Sequence, residues 1–153
     1  MRRPLQLDLL SRLVRERRGA SAVEFALIAP ILFLLLAGLI DGSRLAIRTM
    51  QIRAAAQAGA DYALRKGWDP TAIEEAVANA TPLTAAASPA PAETTGCIVG
   101  GAVVQSAGPN CPNGGPAGQF VTVWAQAPFS PLMAWPGVPL PSQLTARAEV
   151  RIP

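Results

Sequence analysis

The sequence predicts an α+β fold, in which a long N-terminal membrane-spanning helix carries a small antiparallel β-sheet domain packed on its outer half. Residues 25–40 form an apolar run of sixteen residues without a charge, which is typical of a membrane span. Residues 41–66 contain no proline and many alanines, so the helix is expected to continue beyond the span. Twelve of the fifteen prolines lie at or after Pro82, which favours short strands and turns in the last part of the chain.

Basic charge is concentrated at the N-terminus. Of the net charge of +3, residues 1–18 contribute +4 through six arginines and two acids, and residues 20–153 contribute −1. A basic surface for nucleic acid is therefore not expected, and arginines beside an apolar span favour a cytoplasmic N-terminus. Residues 1–19 are interpreted as a basic cytoplasmic leader. Residues 2–18 could instead form an amphipathic helix on the membrane surface, but we favour removal of the leader after Gly19.

The apolar run is long enough to cross a membrane. Glu24 and Asp41 border it 17 residues apart, which corresponds to roughly 26 Å of helix, close to the hydrocarbon thickness of about 30 Å. A transmembrane helix is predicted over residues 20–42, with a kink at Pro30, where a backbone donor is missing. A secretory signal peptide fits less well, because the run is longer and no small-residue cleavage site follows it promptly.

Beyond the span, residues 43–153 are predicted to form a periplasmic α+β domain. The long helix is expected to end near residue 66, before Gly67. A second helix is expected over residues 70–80, with Asp69 as its N-cap. An apolar stripe on the outer half of the long helix is expected to cover the sheet, and it contains Leu45, Ile52, Ala56 and Ala63.

Three segments are predicted as strands, namely residues 97–105, 120–127 and 144–152. In the last two, apolar and polar residues alternate, which is typical of a sheet with one covered face and one exposed face. Residues 81–95 are interpreted as a loop. The Pro-rich loop 128–142 is expected to fold back onto the sheet, with contact to a partner as the alternative. The tryptophans are interpreted as core or loop anchors: Trp68, Trp124 and Trp135.

The chain contains no histidine and two cysteines, Cys97 and Cys111. Without histidine, the commonest general base and imidazole metal ligand are missing, and two cysteines cannot supply a four-ligand zinc site. The cysteines are interpreted as a structural disulfide in an oxidising compartment. No catalytic residue, metal or cofactor is predicted. Four scattered acids are interpreted as residues on solvated helix faces: Asp41, Asp61, Glu74 and Glu75.

Gly19, Glu24 and Phe25 define a spacing at the start of the apolar helix, in which a glutamate follows a glycine by five residues and an aromatic residue comes next. Residues 18–36 are similar nearly throughout to the TadE-like family, the minor pseudopilins of tight-adherence (Flp-type) pilus systems. Phe25 departs from the tyrosine typical of the major Flp pilin and fits the minor proteins better. The end of the chain also resembles the family, in residues 121–123, 131–132 and 144–148.

The resemblance implies a pilin-like fold and cleavage between Gly19 and Ala20, since a membrane aspartyl prepilin peptidase cuts related prepilins after a glycine. It also implies that Glu24 and Phe25, the fifth and sixth residues of the mature chain, set the register of assembly. In a packed filament the Glu24 carboxylate would need a partner among apolar helices. By analogy with pilins, that partner is the terminal amine of a neighbouring subunit. The simpler interpretation of Glu24 is a charge that flanks a signal anchor.

The function implied by the resemblance is structural. The chain would be a minor pilin or pseudopilin that takes part in assembling or priming a tight-adherence pilus, which is type IV-related and serves adhesion, surface colonisation and biofilm formation. The implied partners are the prepilin peptidase, the major Flp-type pilin and other minor pilins, the inner-membrane assembly platform and the lipid bilayer. The implied location is the bacterial inner membrane, crossed once, with the C-terminal domain in the periplasm or, after assembly, in an extracellular pilus.

Two alternatives belong to other classes of protein. An uncleaved membrane-anchored scaffold protein of the pilus assembly or secretion machine would keep residues 1–19 and stay outside the fibre. An unrelated membrane-anchored enzyme or binding module is less consistent with the sequence, because the sequence contains neither histidine nor a cluster of candidate site residues.

Overall fold

The computed structural model describes residues 17–106, 108–112 and 114–153. Within these residues the chain forms two α-helices and a four-stranded antiparallel sheet, so the predicted α+β fold is confirmed. The contacts divide the chain into two compact units, Met1–Gly42 and Ser43–Pro153. Residues 1–16 of the predicted leader lie outside the described residues.

Helix α1 covers Arg17–Lys66 and passes through Pro30 without interruption. It ends at Gly67, which adopts a φ of 85° and donates its N–H to the carbonyl of Ala63 at 2.9 Å. Glycine adopts this left-handed conformation without the steric cost that other residues meet. The predicted end of the long helix is therefore confirmed.

Helix α2 covers Pro70–Asn79 and starts as the sequence predicts. The Asp69 carboxylate accepts a hydrogen bond from the N–H of Ala72 at 3.1 Å. This bond satisfies one of the free N–H groups at the helix start, and proline at the first helical position loses no hydrogen bond there. Ile73 and Val77 form the buried face of α2.

The sheet has the order β2-β1-β3-β4, and all neighbouring strands are antiparallel. The single strand predicted over residues 97–105 is wrong, because Gly100 and Gly101 have positive φ and turn the chain into a hairpin. The loop predicted over residues 81–95 is wrong at its end, because residues 92–95 pair with β3. The strands are β1 (Ala92–Val99), β2 (Ala102–Gln105), β3 (Gly118–Pro128) and β4 (Gln143–Ile152).

The core of the unit Ser43–Pro153 lies between α1, α2 and one face of the sheet. Alanines dominate the buried face of α1, so that the helix can lie close to β3. The approach is close at Gly59, because a Cβ at this position would lie 2.7 Å from Cγ2 of Val77 and 2.8 Å from Cγ1 of Val123. The buried cluster contains Ile52, Ala55, Ala56, Ala60, Ala63, Ile73, Val77, Val121, Val123, Ala125, Ala127 and Phe129, among others.

The two faces of β4 differ as predicted, but β3 departs from the pattern. In β4 the apolar residues lie towards the core and Thr145, Arg147 and Glu149 are exposed. In β3, however, Phe120 and Thr122, which alternate with the core residues Val121 and Val123, are buried as well. The second face of β3 is covered near Phe120, where a cavity of about 280 Å³ is lined by this ring together with both cysteines.

A disulfide joins Cys97 and Cys111, with 5.6 Å between their Cα atoms, in agreement with the sequence prediction. It connects β1 to the turn before β3. Backbone hydrogen bonds hold that turn as well, from the N–H of Cys111 to the carbonyl of Gly115 at 2.7 Å and from the N–H of Ala117 to that of Pro109 at 2.9 Å. The bridged turn lies next to Phe120 and covers that part of the outer face.

The tryptophans do not share one role. Trp68 is 37% exposed and lies in the loop after α1, so it is not a core residue, and its interpretation as a loop anchor stays a prediction. Trp124 is half-buried in β3, with the Arg147 guanidinium 5.8 Å from the ring centroid. Trp135 is half-buried in the loop that follows β3.

Gly59→Ala is expected to lower the free energy of unfolding. The added methyl group would press on two stiff, fully buried valines, and such overpacking costs about 1–3 kcal/mol, against roughly 1 kcal/mol gained from helix propensity. Thermal unfolding of the full chain in detergent, followed by circular dichroism, measures the change. Gly42→Ala in the same helix is the control, since a Cβ there would meet no atom within 4 Å. A Gly59→Ala variant at least as stable as the control would contradict the close packing.

Cys97→Ser is expected to destabilise the folded body. The bridge closes a loop with a sequence separation of 14, and the chain-entropy model assigns about 3 kcal/mol to a loop of this size. A reductant should lower the melting temperature of the wild type towards that of the variant and leave the variant unchanged. Identical melting curves of the wild type with and without reductant would show that the bridge does not stabilise the body.

Candidate functional site: the exposed apolar helix

The first half of α1 presents large apolar side chains to its surroundings. Twelve of them, between Val23 and Ile40, are 46–71% exposed. Exposed apolar surface on this scale is uncommon in a soluble monomer and marks contact with lipid or with other proteins. The exposed residues are Val23, Phe25, Leu27, Ile28, Ile31, Leu32, Phe33, Leu34, Leu35, Leu36, Leu39 and Ile40.

In the part of the chain that the structure describes, one helix is long and apolar enough to cross a membrane. It comprises Gly19–Lys66, and none of its most apolar window is buried. The lack of burial distinguishes it from the core helix of a soluble protein, whereas a signal sequence would satisfy the same criteria of length and composition. The single N-terminal apolar helix therefore indicates membrane anchoring.

Gly19 lies in the first turns of α1, and the fold does not require a glycine there. Its φ is not positive, and a Cβ would meet no atom within 4 Å. Glycine also lowers helix stability by about 1 kcal/mol relative to alanine. Among the described residues, neither packing nor backbone conformation therefore requires a glycine at this position.

Glu24 carries the only charge between Gly19 and Ile40. It is exposed, and so is the neighbouring Phe25. Residues four positions apart share a helix face, so Glu24 lies on one face with Ala20 and with Ile28. Along its own helix the carboxylate therefore has small or apolar neighbours four residues away on either side.

The structure places the predicted site residues in two separate groups. Gly19, Ala20, Glu24, Phe25 and Pro30 all lie in α1, and the cysteines form the disulfide described above. Pro30 is exposed and lies inside the helix. The kink predicted at this residue stays a prediction.

Asp41 is a residue whose environment the sequence did not reveal. Its interpretation as a residue on a solvated helix face is wrong, because it is only 3% exposed and interacts with another group of the chain. Asp61, Glu74 and Glu75 are exposed as expected. A carboxylate directly after a long apolar run is the signal that could have drawn attention to Asp41, because charged groups at such a boundary are costly unless they are paired.

A polar groove between α1 and β4 was also missed. It encloses about 590 Å³ and is lined by Arg53, Asp61, Arg147 and Glu149, among others. Arg147 Nη2 lies 2.9 Å from Glu149 Oε2. Among the described residues, no group of three or more His, Cys, Asp or Glu side chains is placed to hold a metal ion.

A comparison with protein families agrees with the geometry of the helix. The model of the TadE-like protein family matches residues 19–61, a segment that starts at Gly19, contains Glu24 and the apolar run, and ends in the outer half of α1. None of the curated proteins and none of the solved structures matches the chain. The similarity expected at the end of the chain lies outside the matched segment and stays a prediction. The resemblance to the TadE-like family is thus confirmed over residues 19–61.

Proposed function

We propose that this chain is a minor pilin or pseudopilin, a structural subunit that takes part in assembling or priming a tight-adherence (Flp-type) pilus. The family match indicates involvement in Tad/Flp pilus systems, and the TadE-like family is structural rather than enzymatic. The observation that carries the finer proposal is the exposed apolar surface of α1, which contains a single carboxylate at Glu24. Such a helix fits two environments, a bilayer and a bundle of like helices.

The proposed organisation has three parts. Residues 1–19 form a cytoplasmic leader that is cleaved, residues 20–42 cross the inner membrane, and residues 43–153 form the periplasmic domain. The six arginines of the leader support this orientation. The disulfide of the body supports an oxidising compartment for residues 43–153.

Glu24 would act differently in the two environments. In the bilayer its carboxylate lies near one edge of the apolar run, where a charge can reach the headgroups at little cost. Among packed apolar helices an unpaired carboxylate would be strongly unfavourable, so it selects arrangements that supply a partner. Cleavage after Gly19 would create that partner, the α-amino group of Ala20 on a neighbouring subunit.

The spacing along α1 defines the register that such a pair would impose. Ala20 and Glu24 are four residues apart, which is roughly 6 Å along a helix. A neighbour displaced by about one helical turn along the axis would bring its amine level with the carboxylate of the first chain. Phe25, exposed beside Glu24, would pack against the same neighbour.

The proposed partners follow from this role. The prepilin peptidase would process the chain, and the inner-membrane assembly platform would receive it. The major Flp-type pilin and other minor pilins would pack against the apolar helix, which until then lies in the lipid bilayer. The finished pilus would serve adhesion, surface colonisation and biofilm formation.

The mature protein is expected to begin at Ala20. N-terminal sequencing and intact mass of the chain, recovered from membranes and from sheared fibres, measure this directly. Gly19→Leu should block processing because the bulky side chain hinders the backbone at the cleavage site, whereas Gly42→Ala in the same helix should not. A chain that keeps Met1 in the membrane and is missing from the fibres would favour the uncleaved scaffold protein instead.

Glu24→Ala is expected to leave membrane insertion and cleavage intact and to impair piliation. Loss of the carboxylate removes the charge pair that fixes the register, while the apolar helix becomes, if anything, easier to insert. Counts of pili by electron microscopy, with immunoblots of membrane and fibre fractions, test this. Asp61→Ala is the matched control, an exposed acid later in the same helix. Normal piliation in Glu24→Ala would rule out the register mechanism.

A further inference from the structure

The loop between β3 and β4, residues 129–142, exposes apolar side chains although the fold holds it in place. Phe129 is buried in the core, and Leu140 is partly buried and packs against the same core. The N–H of Phe129 donates to the carbonyl of Ser142 at 2.9 Å and closes the base of the loop. Leu132 and Val138, in contrast, are 60% and 56% exposed. The β3–β4 loop is thus fixed at its base by two apolar residues and presents others outward.

The β3–β4 loop begins beside the part of α1 that follows the apolar run. Arg48 Nη1 lies 3.5 Å from the carbonyl oxygen of Pro128, and its guanidinium lies 5.9 Å from the ring centroid of Phe129. Arg48 comes only eight residues after Ile40, which is roughly 12 Å of helix. The headgroup layer adds about 5–8 Å on each side of the hydrocarbon core. On a helix that crosses the membrane at a right angle, Arg48 and the start of the loop therefore lie about 4–7 Å beyond the headgroup layer.

The charges of this part of the chain fit an anionic lipid surface. Residues 41–61 contain three arginines and two acids, of which Asp41 is 3% exposed and Asp61 lies 13 residues after Arg48. The acids Asp69, Glu74 and Glu75 come after the end of α1. No charged residue lies between Glu93 and Arg147, so the loop contains no charged side chain that would be costly to place in lipid. Basic residues attract anionic headgroups, and tryptophan is enriched where headgroups meet acyl chains.

We propose that the β3–β4 loop rests on the anionic surface of the membrane that holds α1. Leu132 and Trp135 reach into the headgroup layer, and the side chains of Arg44 and Arg48 extend towards the lipid phosphates. The inference rests on the proposed membrane anchor. It adds a second contact with lipid, one that holds the folded body against the bilayer before assembly and must be released when the subunit enters a fibre.

Quenching of tryptophan fluorescence by brominated lipid tests this contact. The full chain is placed in phosphatidylethanolamine and phosphatidylglycerol vesicles whose acyl chains are brominated close to the headgroup. One variant, Trp68→Phe with Trp124→Phe, keeps only Trp135, and its control, Trp124→Phe with Trp135→Phe, keeps only Trp68. Trp68 follows the far end of α1, 20 residues after Arg48, or roughly 30 Å along a helix. Bromination should cause a loss of Trp135 emission and leave Trp68 emission unchanged.

A second pair of variants tests the apolar contact itself. Leu132→Ser with Val138→Ser, made in the chain that keeps only Trp135, should reduce the quenching. Ile98→Ser with Val104→Ser is the matched control, because these residues are similarly exposed. They lie on the hairpin that extends beyond the Gly118 end of β3, whereas the β3–β4 loop follows the Pro128 end. The control should leave the quenching unchanged.

Emission of Trp135 that is equal in brominated and unbrominated vesicles would overturn the proposal. A photo-crosslinker at position 135 that captured another protein chain under those conditions would assign the β3–β4 loop to a protein interface instead. Flotation of the same vesicles after an alkaline carbonate wash separates this failure from that of the anchor. A chain that stays with the vesicles while Trp135 is unquenched contradicts the lipid contact alone, and a chain that is washed off contradicts the anchor on which it rests.

Discussion

Helix α1 meets two kinds of surroundings with one continuous backbone. Up to Ile40 its large apolar side chains are exposed, and its backbone hydrogen bonds are made within the helix, as a segment in lipid requires. From Ile52 onward apolar side chains occupy one face and are buried against the sheet. Small residues on that face, and Gly59 above all, allow β3 and α2 to approach closely. The packing of the sheet and α2 against the outer half of α1 therefore depends on the small side chains on that face of the helix.

The same helix explains why one carboxylate carries so much of the proposed function. A charge on an otherwise apolar surface has little influence while water or headgroups solvate it, and a large influence once apolar neighbours enclose it. In the proposed role, Glu24 would therefore disfavour any neighbouring helix that leaves its carboxylate unpaired. Several charges along the same surface would allow more than one register of packing, and they would raise the free-energy cost of membrane insertion.

Elements with a strong local pattern could be predicted from the sequence, and elements defined by distant contacts could not. The end of α1 follows from Gly67 and the start of α2 from Asp69, and β4 follows from its alternation. The hairpin of β1 and β2 was missed because its alanines, threonines and glycines show no alternation, and pairing with β3 defines it. The burial of Asp41 was not predicted either. Gly19 and Glu24 were selected for their spacing, and the roles proposed for them stay predictions.

The disulfide between Cys97 and Cys111 has a consequence for the timing of maturation. It holds the turn that covers Phe120 on the outer face of β3. Cytosolic thiols are kept reduced, so this cover can be locked only after both cysteines have reached an oxidising compartment. In the proposed organisation, the cross-link would therefore form only after export of residues 43–153 and not at synthesis. A subunit retained in the cytoplasm would lack its final cross-link.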